Sequence, residues 1–239
     1  MKTAACMNLC QRLYRLAAAG LCLTLASGCT ALRTAATAPS PPVFYSLDNA
    51  RSIASAPPVT RRALPATAPT LVVSAPRAAA GFDSQRIMYV RQPHKLEYFA
   101  HSEWIDTPAR MLSPLVVAAM EQSGVFRAVV HAPSSANGDL RLDSEVLLLQ
   151  QEFEGTPSRV RFALRVNLVE DATRRVVASR DFATFATAPS EDPYGGVVAA
   201  NEAVRTVLAD VAAFCAAAAA TWHPAGSGED AGGRGKPLY

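Results

Sequence analysis

The chain has 239 residues, half of them hydrophobic, with 23 Lys and Arg against 20 Asp and Glu and a formal net charge of +3. Lys2, Arg12 and Arg15 lie before Cys29, where there is no acid, so removing a leader that ends at Gly28 leaves 20 cations against 20 anions. The remaining charges are interspersed, which excludes the basic face or stripe that a nucleic-acid binder needs.

Leu16 to Cys29 reads LAAAGLCLTLASGC. A basic segment, a short apolar core and small residues at its end form the pattern of an export signal. Leu16–Ala26 is about half the length of a membrane-spanning helix, so the stretch is too short for a permanent span. Ala26, Ser27 and Gly28 before Cys29 resemble a bacterial lipobox. That resemblance implies a diacylglyceryl thioether on Cys29, cleavage before it and acylation of the new terminus. The competing reading is a plain secretory signal in which Cys29 is a bystander. Cys6, Cys10 and Cys22 leave with the leader, and Cys215 remains as the lone free thiol. Neither an internal disulfide nor a cysteine metal site is then expected. Cys215 falls on an apolar helical face and reads as a small core hydrophobe.

The organisation expected is a signal over 1–28, a lipidated terminus and flexible tether over 29–42, one domain over 43–222 and a disordered tail over 223–239. Pro39, Pro41 and Pro42 prevent helix in the tether. Val43–Leu47 is the first strand candidate, and the Ala/Pro/Ser/Arg-rich run from Asn49 to Pro69 is a long connection. Leu71–Val73 is a compact apolar strand ended by Pro76. Gln85–His101 reads as two strands around a Gln92-Pro93-His94 turn. Asp106 or Thr107 can cap a helix with Pro108 at its first position. Its buried stripe is Leu112, Leu115, Val116 and Ala119, and Gly124 ends it. Pro114 removes a hydrogen bond inside it, so a kink or a later start is expected.

A short strand over Val125–Val130 is followed by three more, Leu140–Phe153, Arg159–Glu170 and Arg175–Phe185. In the second, Val160, Phe162, Leu164, Val166 and Leu168 alternate with Arg159, Arg161, Arg165 and Asn167. Period two places one face in the core and one toward water or a partner. These consecutive strands form an antiparallel meander, and the arginine row is read as a solvated sheet face. A helix from Pro193 to Trp222, capped by Asp192, should cover the sheet with Val204, Val207, Leu208, Val211 and Phe214 or Cys215. Gly195 and Gly196 weaken its first turn.

The chain carries no phosphate loop, no glycine-rich dinucleotide turn, no GxSxG and no HExxH. His94, His101, His131 and His223 are scattered, and the carboxylate pairs Asp139/Asp143 and Glu152/Glu154 have the spacing of a solvated strand face. No catalytic residue, metal ligand or cofactor contact is nominated. Tyr89, Tyr98 and Trp104 cluster in sequence and are the candidates for a partner or lipid contact, with core packing as the alternative.

Several of these segments together resemble the ABC-type transport auxiliary lipoproteins, the family of paraquat-inducible protein C. They are the lipobox at Cys29, Phe44-Tyr45-Ser46-Leu47, the run from Gln85 to Trp104, the helix after it, the Leu140–Phe185 meander with Asp171-Ala172-Thr173-Arg174-Arg175, and the last helix with Ala200-Asn201-Glu202-Ala203. The resemblance implies a single three-layer α/β domain with a mixed, largely antiparallel sheet packed by helices, similar to anticodon-binding-like folds. It implies a non-enzymatic role beside an ABC permease, its ATPase and a membrane-anchored MCE protein, moving lipids between the two membranes of a Gram-negative envelope. Thr30, rather than Asp, after the lipidated cysteine favours the outer membrane. The alternative function is an envelope assembly or scaffold lipoprotein bound to outer-membrane or peptidoglycan-associated partners; a periplasmic hydrolase is a distant third. An exposed sheet edge could support a homo-oligomer or a partner strand.

Overall fold

The structure is a computed structural model that describes residues 41–47, 64–65, 67–134 and 136–224. Cys29, the tether and the tail lie outside the described residues, as does most of the connection from Asn49 to Pro69.

The architecture is built around one long strand, β7 (Leu140–Glu152). Its residues alternate, with Leu140, Leu142 and Val146 fully buried and Arg141, Asp143 and Glu145 half-buried. One of its edges pairs antiparallel along its whole length with β8 (Arg159–Glu170), which pairs antiparallel in turn with β9 (Val176–Thr187). This is the expected meander. The other edge of β7 takes three short parallel partners in succession. They are β2 (Thr70–Val73) at Leu140–Leu142, β3 (Arg77–Ala78) at Glu145–Val146, and β4 (Arg86–Gln92) at Gln151–Glu152. Beyond them β5 (Lys95–Trp104) pairs antiparallel with β4, β1 (Val43–Tyr45) pairs parallel with β5, and β6 (Ala128–His131) pairs parallel with β2. The sheet is mixed and its path does not close.

Two helices cover one face. α1 (Pro108–Gln122) buries Met111, Leu112, Leu115, Val116 and Met120. α2 (Pro193–Thr221) buries Val204, Val207, Leu208, Val211 and Cys215. Both stripes share a single core cluster with Leu71, Val73, Phe162 and Leu164, each of these four fully buried. At about 1.5–3 kcal/mol for each large side chain removed from water, β8 alone carries a large share of the driving force. By length and composition α2 could cross a bilayer, but its apolar stripe is spent against β8 and β9, as in a core helix. The α/β class and the helix-packed mixed sheet agree with expectation. Of the three layers implied by the resemblance, the described residues build two: one sheet and one pair of helices in contact with each other.

Several local expectations need correction. The strand foreseen at Val125–Val130 is shifted to Ala128–His131, because Phe126 is drawn into the core as the chain leaves α1. β9 runs two residues past Phe185, since Ala186 and Thr187 still pair with Val160 and Arg159. β3 follows Pro76 directly, where only a strand end was expected. α1 begins at Pro108 and continues through Pro114, which lies on the exposed side of the helix where water can serve the freed carbonyl of Arg110. Thr107 occupies the cap position without a side-chain cap bond, and Asp106 Oδ1 instead accepts the Thr107 N–H at 2.8 Å. Asp192 caps α2 as expected, its Oδ1 accepting the Gly195 N–H at 2.7 Å.

Gly195 and Gly196 serve close approach. A Cβ on Gly195 would lie 2.2 Å from the carbonyl oxygen of Ser190, and one on Gly196 would lie 2.3 Å from Oε1 of Gln151. Gln151 is 2 % exposed and donates from Nε2 to Ser158 Oγ at 2.9 Å. Gly196 thereby seats the start of α2 against Gln151 of β7, and Gly195 seats it against the Ser190 backbone of the preceding loop.

Candidate partner-binding surface

The three aromatic residues singled out from the sequence do not converge. Trp104 is 3 % exposed and belongs to the core cluster. Tyr89 lies opposite Glu97 and Tyr98 opposite Met88, so strand alternation sends the two tyrosines to opposite faces. Tyr89 is 8 % exposed and packs on Phe99, with ring centroids 4.5 Å apart, and edge-on against Phe153 at 5.8 Å. The Arg91 guanidinium caps this trio, 4.9 Å from the Tyr89 centroid. Tyr98 is 47 % exposed on the helix-free face, with the Arg86 guanidinium 4.0 Å above its ring.

The helix-free face also carries the arginine row of β8, and the register shows what faces it. Arg159 is opposite Glu152, and their ion pair measures 3.1 Å. Arg165 grips Asp181 through Nε and Nη2, both at 2.8 Å, and reaches Glu145 at 4.0 Å. Hydrogen bonding to Arg165 holds the Asp181 carboxyl below its usual range, and the same bond raises Arg165. Both groups are wet, so the pair adds little stability. Arg141 meets Asp171 at 2.6 Å. Arg161 makes no ion pair among the described residues. Its guanidinium lies 5.6 Å from the centroid of Phe185, and that of Arg159 lies 4.2 Å from it. Phe185 is 49 % exposed and was missed in the sequence, where it reads only as a strand end. Its signal, the position opposite Arg161, emerges once the β8–β9 register is known.

The chemistry candidates stay dispersed. His94 adopts a left-handed backbone (φ 66°) in the β4–β5 turn, and His101 is exposed on β5. Asp139 accepts the Thr70 N–H at 2.7 Å at the head of β2. Ser113 Oγ and His131 Nε2 lie 2.6 Å apart, but this exposed contact has no acid on the imidazole among the described residues. A nucleophile and base without an orienting third group do not make the arrangement that activates serine. Burial pushes the Cys215 thiol up to about 12, the opposite of a nucleophilic cysteine. Among the described residues no three His, Cys, Asp or Glu side chains gather to hold a metal. An open depression of about 330 Å³ at the β7–β8 hairpin is lined by Glu152, Glu154, Gly155, Thr156, Pro157 and Arg159, with no large apolar wall.

Comparison with known families decides the kinship. The family model of the ABC-type transport auxiliary lipoprotein component matches residues 45–212, from the end of β1 to deep within α2. The chain belongs to that family. Among solved structures, protein XCC0632 from Xanthomonas campestris is 26 % identical, covering 65 % of this chain and 88 % of its own, with a TM-score of 0.59. A second, an uncharacterized protein, is 14 % identical over 73 % of this chain and 99 % of its own, with a TM-score of 0.56, and shows the same fold. No curated protein matches the sequence. As an ABC-type transport auxiliary lipoprotein component the chain falls among membrane-anchored envelope lipoproteins.

Proposed function

We propose that this auxiliary lipoprotein is anchored through acylated Cys29 on the periplasmic face of the outer membrane. There it serves as a non-catalytic subunit of an ABC/MCE-type system that carries lipids between the membranes. The observation that carries the reading is the coincidence of the family match at residues 45–212 with the body built from β1 to α2. The lipobox before Cys29 and the Thr30 that follows it support the anchor and its membrane. Two or more acyl chains, at about 0.8 kcal/mol for each buried methylene, make such an anchor stable.

The test is affinity purification of the full-length, membrane-extracted protein after crosslinking in cells. Recovery of an MCE-domain protein together with an ABC permease and ATPase is the expected result, and deletion should sensitise the envelope to detergent. Recovery of peptidoglycan or β-barrel assembly proteins without any transporter component would replace this reading by an assembly or scaffold role.

A further inference from the structure

The registers of four strand pairs align one row of side chains across the helix-free face. Tyr98 is opposite Met88; Tyr89 opposite Gln151 sets Met88 beside Gln150; Gln150 is opposite Arg161; and Arg161 is opposite Phe185. At about 4.8 Å for each strand step, the row from Tyr98 to Phe185 is roughly 19 Å long. Each end carries an exposed ring with a guanidinium stacked on it, Arg86 on Tyr98 and Arg159 with Arg161 on Phe185. Met88 and Gln150 lie between them, both half-buried.

The charges on this face do not balance locally. Arg141, Arg159 and Arg165 each make an ion pair, whereas Arg86, opposite Glu103, makes none among the described residues, and Arg161, between Gln150 and Phe185, has neither an ion pair nor a carboxylate opposite it. The Nε of Arg161 is shielded from solvent and has no acceptor. A buried charged donor without a partner is costly, and a carboxylate offered to it makes one of the stronger hydrogen bonds available. Two guanidinia outside any ion pair and stacked on rings, with a thioether and an amide between them, form a surface that matches side chains of alternating character. Acyl chains would need a continuous apolar field, which Gln150 and Arg161 interrupt.

We propose that this face docks an acidic, amphipathic segment of a partner protein. Its carboxylates would meet Arg161 and Arg86, and its apolar side chains would lie on Met88, Tyr98 and Phe185. The inference rests on the reading of the chain as a subunit that works by binding other envelope proteins, and it assigns the surface.

The experiment places a photo-crosslinking amino acid at position 185, at position 98 and, as a control, at exposed Ala213 on α2, in the full-length chain in cells. Positions 185 and 98 should trap the same protein through a peptide containing at least two Asp or Glu, and position 213 should not. Arg161→Glu should lower trapping at position 98 by about tenfold or more, the equivalent of about 1.4 kcal/mol. Arg161→Lys should retain most of it. Ala183→Glu, an exposed neighbour of Phe185 on the same face, adds a carboxylate without removing a contact and should give the same loss with unchanged thermal stability. Trapping of lipid, of a second copy of this chain or of a peptide without acidic residues would overturn the proposal, as would no trapping or trapping indifferent to both charge changes. If the transporter still co-purifies with Arg161→Glu and Ala183→Glu, this surface assignment fails while the transport role stands.

Discussion

Gly195→Ala is the sharpest test of how α2 is seated. In an open helix this substitution stabilises by about 1 kcal/mol, because alanine loses less conformational freedom than glycine. Here the added methyl would lie 2.2 Å from the Ser190 carbonyl oxygen, 2.5 Å from its Oγ and 2.8 Å from its carbonyl carbon. Two of these three atoms are backbone, and Ser190 Oγ already donates to Asp192 Oδ1 at 2.8 Å, so the loop cannot yield without loosening the cap. Overpacking of this kind costs about 1–3 kcal/mol. Three contacts under 3.0 Å, two of them to backbone, place the cost in the upper half of that range, about 2–3 kcal/mol. Set against the gain in propensity, the net destabilisation is about 1–2 kcal/mol, or a melting temperature lower by about 2–8 °C for a body of this size. Urea unfolding followed by tryptophan fluorescence should read it, since Trp104 is buried. Gly155→Ala, where a Cβ meets nothing within 4 Å, is the control and should be neutral or slightly stabilising. If Gly195→Ala proves as stable as the parent or more so, α2 is not held as described.

The Asp192 carboxyl is held below its usual range, first by the Gly195 N–H and then by the Ser190 hydroxyl. A depressed pKa adds stability that is present above the unfolded value, near 3.9, and is lost as pH falls through the folded one. Asp192→Ala should therefore melt lower than the parent at pH 7, with the gap closing in strongly acidic buffer; a constant gap would refute the linkage. Cys215 should resist a thiol reagent at pH 8 in the folded protein and react once in denaturant, giving one thiol for each mature chain. Two or more thiols would show that the leader is retained or Cys29 unacylated. Cys29→Ser should move the protein from the membrane fraction to the soluble fraction and remove the acyl mass from the intact species. Unchanged partition would refute the anchor.

Side-chain periodicity was legible wherever one strand face was buried. Val160 to Leu168 alternate so regularly that β8 was located to the residue. Asp192 and the apolar spacing of Val204, Val207 and Val211 likewise fixed α2. Pairing partners were not legible, because a residue's own period says nothing of which distant strand lies beside it. β2, β3 and β4 all pair with one edge of β7, and nothing in Leu71-Val72-Val73 records Leu140. The same gap explains the partner surface. Tyr89, Tyr98 and Trp104 are close in sequence but separated by alternation and by the irregular β4–β5 register. Phe185 and Tyr98 are 87 positions apart and share a row. The two glycines of α2 looked like weakness, because the Ser190 and Gln151 atoms that require them come from elsewhere.

The dependence of β2, β3 and β4 on β7 also bears on how the protein is born. Each waits for residues 140–152 before its open edge is satisfied on that side; until then the earlier strands can form only two separate groups, β1 with β5 and β4, and β2 with β6, which β7 alone unites. Contacts of such long sequence separation form late. A polypeptide that completes its architecture only when its middle arrives stays threadable meanwhile, the state in which a lipoprotein must pass through an export channel before taking its place in the envelope.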